Sequence, residues 1–135
     1  MPLWYISTAI AYTITIAGAQ GRLGRELVAQ SLERKWNVRG VVRRPNDPVP
    51  HPVRRGWLEA DEESTVPITS TNLTLTMDTR CNDIDALVLC MSAGPFASST
   101  EVMVQDEVVR RLCNTCSNST RVCLVSAYGV GDSLR

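Results

Sequence analysis

The sequence predicts an α/β fold, a three-layer arrangement in which a doubly wound parallel sheet of about five strands carries helices on its faces. Three observations predict it. Runs rich in β-branched residues alternate with stretches of helical periodicity, which is the pattern of βαβ units. One run, "DALVLCMSAG", is apolar throughout, as a central strand covered on both faces must be. A glycine-spaced loop, "GAQGRLG" from Gly18 to Gly24, joins the first strand to the first helix. At 135 residues the chain has the length of one domain, enough to bury roughly two-thirds of its unfolded surface, and residues 1–135 are read as a single unit.

The elements follow in order. "YTITIA" (Tyr12 to Ala17) is β-branched and predicts the first strand. After the glycine loop, Leu23, Leu27, Val28 and Leu32 recur at helical spacing, with Arg25, Glu26, Glu33 and Arg34 on other faces, which predicts an amphipathic helix. "VRGVV" (Val38 to Val42) predicts the second strand, stopped by the prolines of "RRPNDPVPHP". Residues 43–72 read as an irregular, polar, loop-rich segment within the domain, with one short helix around Leu58 to Glu63. "NLTLTMD" predicts a third strand and "DALVLCMSAG" a fourth, and the few residues of "TRCNDI" between them reduce the usual crossover helix to a turn. "SSTE" (Ser98 to Glu101) has the form of a capping box and introduces a second helix with a stripe of Val104, Val108, Leu112 and Cys116. "RVCLVSAYGVGDS" supplies a fifth strand and a glycine-containing turn.

Composition narrows the classes of partner. The chain is 44% apolar and 21% charged with a formal net charge of zero, so nothing global draws it to nucleic acid or to a membrane surface. The opening apolar stretch lacks a basic flank and is interrupted by Ser7, Thr8, Thr13 and Thr15, which argues against a signal peptide or a membrane span. Cys81, Cys90, Cys113, Cys116 and Cys123 make an odd count without an export signal, pointing to reduced thiols and a cytoplasmic setting, in which the sequons at Asn72 and Asn118 go unused.

The glycine loop carries the chemistry. A phosphate needs backbone N–H donors and a favourable dipole, and a helix N-terminus after a glycine turn supplies both. Gly18 permits the tight turn, Gly21 the close approach of a pyrophosphate, and Gly24 the packing of helix on strand. The second strand then identifies the nucleotide: where an acid would accept from the ribose of NAD, this chain has Arg43 and Arg44, whose planar forks match the 2′-phosphate of NADP. Arg22, within the loop, is placed to reach the same phosphate. The cofactor expected is therefore NADP, with NADPH preferred over NADH.

Taken together, "TIAGAQGRLGREL", "VRGVVRRP", "DALVLCMSAG" and "VCLVSAYGVGDS" resemble the atypical short-chain dehydrogenase/reductases, in particular the NmrA-like NAD(P)-binding proteins with a Rossmann fold. The resemblance runs from Tyr12 onward. It implies that Gln20, Gly21, Arg22 and Leu23 line the pyrophosphate, that Arg43 faces the 2′-phosphate and that Asp78 lies beside the adenine. It further implies that Met91, Ser92 and Ala93 contact the adenosine ribose, and that Ser126 sits near the nicotinamide with Tyr128 as the second catalytic candidate. Two departures bear on activity. Family members that reduce carbonyls place a lysine four residues after the tyrosine, whereas here that position is Asp132 and the sole lysine, Lys35, lies on another element. Members also continue past the fifth strand, so the resemblance implies an abbreviated form whose sheet edge is open to a protein partner or to self-association. Two functions remain in view: NADP(H) binding by a reductase-like protein able to transfer hydride to a small-molecule acceptor, and dinucleotide sensing or regulation without chemistry.

The remaining candidates have plain readings. Cys113 and Cys116 form a CxxC, but near a helix C-terminus, and are expected to be buried helix cysteines rather than a redox or zinc pair. No metal is expected. His51 reads as a loop residue and the acidic run Glu59 to Glu63 as a solvated face.

Overall fold

β-Branched residues hold the first strand extended, and β1 (Thr13–Ala17) is buried from Ile14 to Ala17, as only an interior strand can be. In the computed structural model, which describes residues 12–52, 66–91 and 98–125, the elements that follow are α1 (Arg22–Glu33), β2 (Asn37–Val41), β3 (Leu73–Thr76), β4 (Ala86–Leu89), α2 (Ser99–Thr115) and β5 (Arg121–Leu124). The strands form one five-stranded sheet of order β3-β2-β1-β4-β5, every pair parallel. This is the doubly wound arrangement predicted, with the reversal of strand order falling between β1 and β4. Ligands of such sheets bind at the carboxyl ends of the strands beside that reversal.

The register fixes which residues share that edge. Ala17 stands beside Val41 and Leu89, Val41 beside Thr76, and Leu89 beside Leu124. Gly18, Val42, Met77, Cys90 and Val125 are therefore the first residues past the five strand ends. Gly18 N–H donates to the Val41 carbonyl at 3.1 Å, Val42 to Thr76 at 2.9 Å, and Cys90 to Ala17 at 3.1 Å, so the edge is tied together beyond the strands themselves.

Alternation along the strands splits the core in two. On one face Ile14, Ile16, Val38 and Val42 pack with Val28 of α1. On the other, Ala17, Val41, Leu87 and Leu89 pack with Leu112 of α2 and with Cys81 and Ile84 of the β3–β4 connection. That connection contains no helix, as the sequence indicated, and fills part of the second layer itself. Its backbone groups are satisfied from outside. Thr115 Oγ1 accepts from Cys81 N–H at 2.8 Å, Thr120 Oγ1 donates to the Ile84 carbonyl at 3.0 Å, and the Arg39 guanidinium donates to the carbonyls of Asp78 and Arg80.

Three expectations need correction. The segment 43–72 is not merely a polar loop: Val49 is fully buried and Ile68 is 8% exposed, both in the core beside α1, and Pro50 and Pro67 form an antiparallel bridge flanked by bonds from His51 to Val66 and from Ile68 to Val49. The α2 stripe is buried only in its second half, Leu112 being fully covered while Val104 is 50% exposed. The paired cysteines are not both buried. Cys113 is exposed, and Cys116 lies one residue past α2 and is partly covered. Ser98 precedes α2 and its carbonyl accepts the first helical bond, from Val102 at 3.2 Å. The helix expected around Leu58 to Glu63 lies outside the described residues. All four residues of the edge strand β5 are exposed.

Among the described residues, one buried side-chain polar group lacks a partner. Thr15, fully buried in the central strand, has a hydroxyl with no hydrogen bond. An orphan hydroxyl costs about 1–3 kcal/mol, whereas an isosteric methyl would not carry that penalty. Thr15→Val is therefore expected to raise the unfolding free energy by about 1 kcal/mol, read as a higher urea midpoint at unchanged slope.

Candidate functional site

The loop after β1 is shaped by two glycines that cannot be replaced. Gly18 has φ +83°, a conformation that favours glycine, and a Cβ there would lie 3.1 Å from the Cys90 carbonyl oxygen. At Gly24, in the first turn of α1, a Cβ would lie 1.9 Å from the Gly18 carbonyl oxygen. The helix is thus seated directly on the turn that precedes it. Gly21 N–H donates to Gly18 at 3.1 Å and Arg25 N–H to Gly21 at 2.9 Å, closing the turn into the helix.

Gly21 differs from both. Its φ of −71° and ψ of 171° suit any residue, and a Cβ would meet only the Gly18 oxygen at 3.4 Å, an ordinary contact. Neither backbone nor packing requires glycine at this exposed position. What the missing side chain leaves is open approach to the N-terminus of α1. That terminus has no side-chain cap and no acidic residue in its first turn. Its N–H groups at Leu23 and Gly24 precede the first possible intrahelical acceptor, so the positive end of the helix dipole faces outward beside Gly21. A pyrophosphate fits this cradle: donors, dipole and the absence of a Cβ converge on one spot. Arg22 is exposed next to it, and Leu23 is 43% exposed.

The loop after β2 is held against the glycine turn. The Gln20 side-chain amide donates to the carbonyls of Arg44, at 3.1 Å, and Asp47, at 2.8 Å. Arg43 and Arg44 are both exposed, and among the described residues neither guanidinium has a hydrogen-bond or ion-pair partner. They project one element away from the phosphate cradle, where an adenosine ribose would lie in this topology.

Asp78, two residues past β3, is at the same edge, but its carboxylate is engaged. Oδ1 accepts from Arg80 Nε at 3.2 Å and Oδ2 from Arg80 Nη2 at 3.3 Å, with Arg39 Nη2 at 3.6 Å. The Arg80 side-chain hydrogen bonds above all hold Asp78 below its ordinary carboxylate range. An adenine amine would have to compete with these arginines. Met91 follows β4 and is partly buried beside the loop, its Cγ lying 3.2 Å from where a Gly18 Cβ would be. Ser92, Ala93, Ser126 and Tyr128 lie outside the described residues.

Sequence reasoning passed over Gly40 and Cys90. A Cβ at Gly40 would lie 2.9 Å from the Ala19 Cβ, so this mid-strand glycine is what lets the fully buried Ala19 seat the loop on β2. A glycine inside a strand pattern is the available signal for such an approach. Cys90 Sγ donates to the Ala17 carbonyl at 3.0 Å under the loop, and burial pushes its thiol up. Burial likewise raises Cys116 and lifts Cys81 to about 11, so these thiols are poor thiolate sources. Among the described residues no cluster of His, Cys, Asp or Glu could hold a metal, and no helix is long and apolar enough to cross a membrane.

A family model described as NAD(P)H-binding matches residues 18–135. No curated protein and no solved structure matches the chain significantly.

The two helix-proximal glycines are expected to separate in mutants. Gly24→Ala drives a methyl into the Gly18 carbonyl and is expected to cost about 3 kcal/mol of unfolding free energy. Gly21→Val is expected to cost no more than about 1 kcal/mol, since only the N-cap preference is lost, yet to abolish dinucleotide binding. Urea unfolding and fluorescence titration measure the two effects; binding that survives in folded Gly21→Val would leave the open cradle without a ligand.

Proposed function

The chain belongs to the NAD(P)H-binding family, and on that premise we propose that it is a single dinucleotide-binding domain that takes NADPH in preference to NADH, as an atypical reductase-like protein. The observation that carries the preference is the exposed pair Arg43 and Arg44, without partners among the described residues, on the loop next to the glycine turn. Leu23 and Gly24 would hold the pyrophosphate through backbone N–H groups, with Gly21 leaving the approach open and Arg22 alongside. Arg43 and Arg44 would hold the 2′-phosphate, and Asp78 and Met91 to Ala93 would flank the adenosine. NADPH when bound supplies a hydride; the chain's own part is to hold the dinucleotide at the carboxyl edge and to place Ser126 and Tyr128 beside an acceptor.

A second reading, a dinucleotide sensor that performs no chemistry, is favoured by one structural fact. A phenol that exchanges a proton at neutral pH needs a neighbouring cation. The chain's sole lysine, Lys35, sits between α1 and the first residue of β2, at the amino edge of the sheet, whereas the glycine loop is at the carboxyl edge. The length of β2 separates them, and the residue four past Tyr128 is Asp132.

Two outcomes are expected. NADPH binds about ten- to a hundredfold more tightly than NADH at low salt, since charge-assisted hydrogen bonds are worth about 1.5–3 kcal/mol, and the margin narrows as salt screens the exposed arginines. Fluorescence titration measures it, and equal affinities, or a preference undiminished in Arg43→Ala, Arg44→Ala, removes the assignment. In a panel of simple aldehydes, ketones and quinones, NADPH consumption stays far below a typical enzymatic rate of about 10 per second. Turnover near that rate, lost in Tyr128→Phe or Ser126→Ala, would establish the catalytic reading instead.

A further inference from the structure

The residue between Ala19 and Gly21 is a glutamine whose side-chain donors are both already engaged. A primary amide has two N–H donors, and those of Gln20 go to two backbone carbonyls, Arg44 at 3.1 Å and Asp47 at 2.8 Å. Both partners are acceptors, so the amide can face them only with its nitrogen. The one group left is the carbonyl oxygen Oε1, which would repel a phosphate rather than bind it. The Gln20 side chain is therefore not a pyrophosphate ligand, although its backbone lies in the phosphate loop.

Its two partners are the ends of one turn. Asp47 N–H donates to the Arg44 carbonyl at 3.0 Å, so Arg44, Pro45, Asn46 and Asp47 form a closed four-residue turn, with Pro45 at the position where its fixed φ is most favourable. The Arg44 carbonyl accepts from both Asp47 and Gln20, and Gln20 reaches across to the far carbonyl as well. One side chain of the phosphate loop thus braces the whole turn that Arg44 opens and that Arg43 directly precedes.

We propose that Gln20 is a positioning residue for cofactor choice: by pinning the Arg44–Asp47 turn to the glycine loop, it fixes the bases of Arg43 and Arg44 where a 2′-phosphate would be met, and so sets the preference for NADPH. The inference rests on the reading that these arginines face that phosphate. Without the brace the turn must be ordered at the moment of binding, and that cost falls on the ligand that uses the arginines. NADH, lacking the phosphate, is affected less.

The test is a titration of wild type, Gln20→Met, Arg43→Ala/Arg44→Ala and the triple variant with NADPH and with NADH. Methionine matches glutamine in length and neutrality but donates nothing. Gln20→Asn keeps the amide and shortens its reach by one methylene, giving a second variant should the first fold poorly. Loss of the brace is expected to shrink the ratio of NADH to NADPH dissociation constants by about tenfold, the worth of one to two neutral hydrogen bonds. In the background lacking both arginines, Gln20→Met is expected to leave the ratio unchanged. Trypsin is also expected to cut after Arg43 faster in Gln20→Met, with no ligand present. If Gln20→Met keeps the wild-type ratio, or weakens both dinucleotides equally, while removal of the arginines abolishes the preference, the brace is overturned and the arginine reading stands. If wild type shows no preference, both fall.

Discussion

The carbonyl oxygen of Gly18 occupies the space that a Cβ at Gly24 would need, 1.9 Å away, and most of the site follows from that contact. It forces α1 to begin directly on the turn leaving β1. The helix N-terminus then opens beside Gly21 at the carboxyl edge, with its unpaired N–H groups turned outward. A bulkier loop would move the helix away from the sheet, and the fully buried Ala19, held in the notch left by Gly40 on β2, would lose its seat. Strand β1, loop and helix are in this sense one rigid object, and the loop after β2 is fastened to it by Gln20.

Electrostatics completes what packing begins. α1 opens with no acid and no cap. Arg22 and Arg25 stand at the same end, and Arg43 and Arg44 stand on the adjoining loop. A chain of zero net charge therefore concentrates positive potential at one corner of the sheet, where a dinucleotide's phosphates would be stabilised both by the dipole and by side chains. Among the described residues, several charges elsewhere are paired with one another. Asp78 is paired with Arg80 and Arg39, and Glu107 with Arg110 and Arg111 along α2.

Much of this was legible in the sequence, for identifiable reasons. β-Branched runs and a uniformly apolar segment predict β1, β2 and β4 because strand pleat and burial impose those patterns directly, and the glycine spacing predicts the loop because only glycine fits at Gly18 and Gly24. What was not legible depended on contacts between distant residues. Val49 and Ile68 are single apolar residues beside prolines, with no period to betray them, yet both enter the core. The spacing of Val104, Val108 and Leu112 shows which residues share a helix face but not that only the far end of that face is covered, and Cys113 is exposed for the same reason. The Gln20 bonds span 24 and 27 residues and leave no local signature. Asp78 was legible as an edge residue, but its pairing with Arg80 and Arg39 was not.

The central claim is that the uncapped N-terminus of α1, opened by Gly21, receives the cofactor's phosphates. It is tested most directly by following backbone amide resonances of the isotopically labelled chain during addition of NADPH. The account predicts the largest displacements at Gly21, Leu23 and Gly24, with smaller ones at Arg43 and Arg44 and none at Lys35, Trp36 or Thr120 on the amino edge. Unmoved glycine-loop amides together with shifts at the amino edge would contradict it.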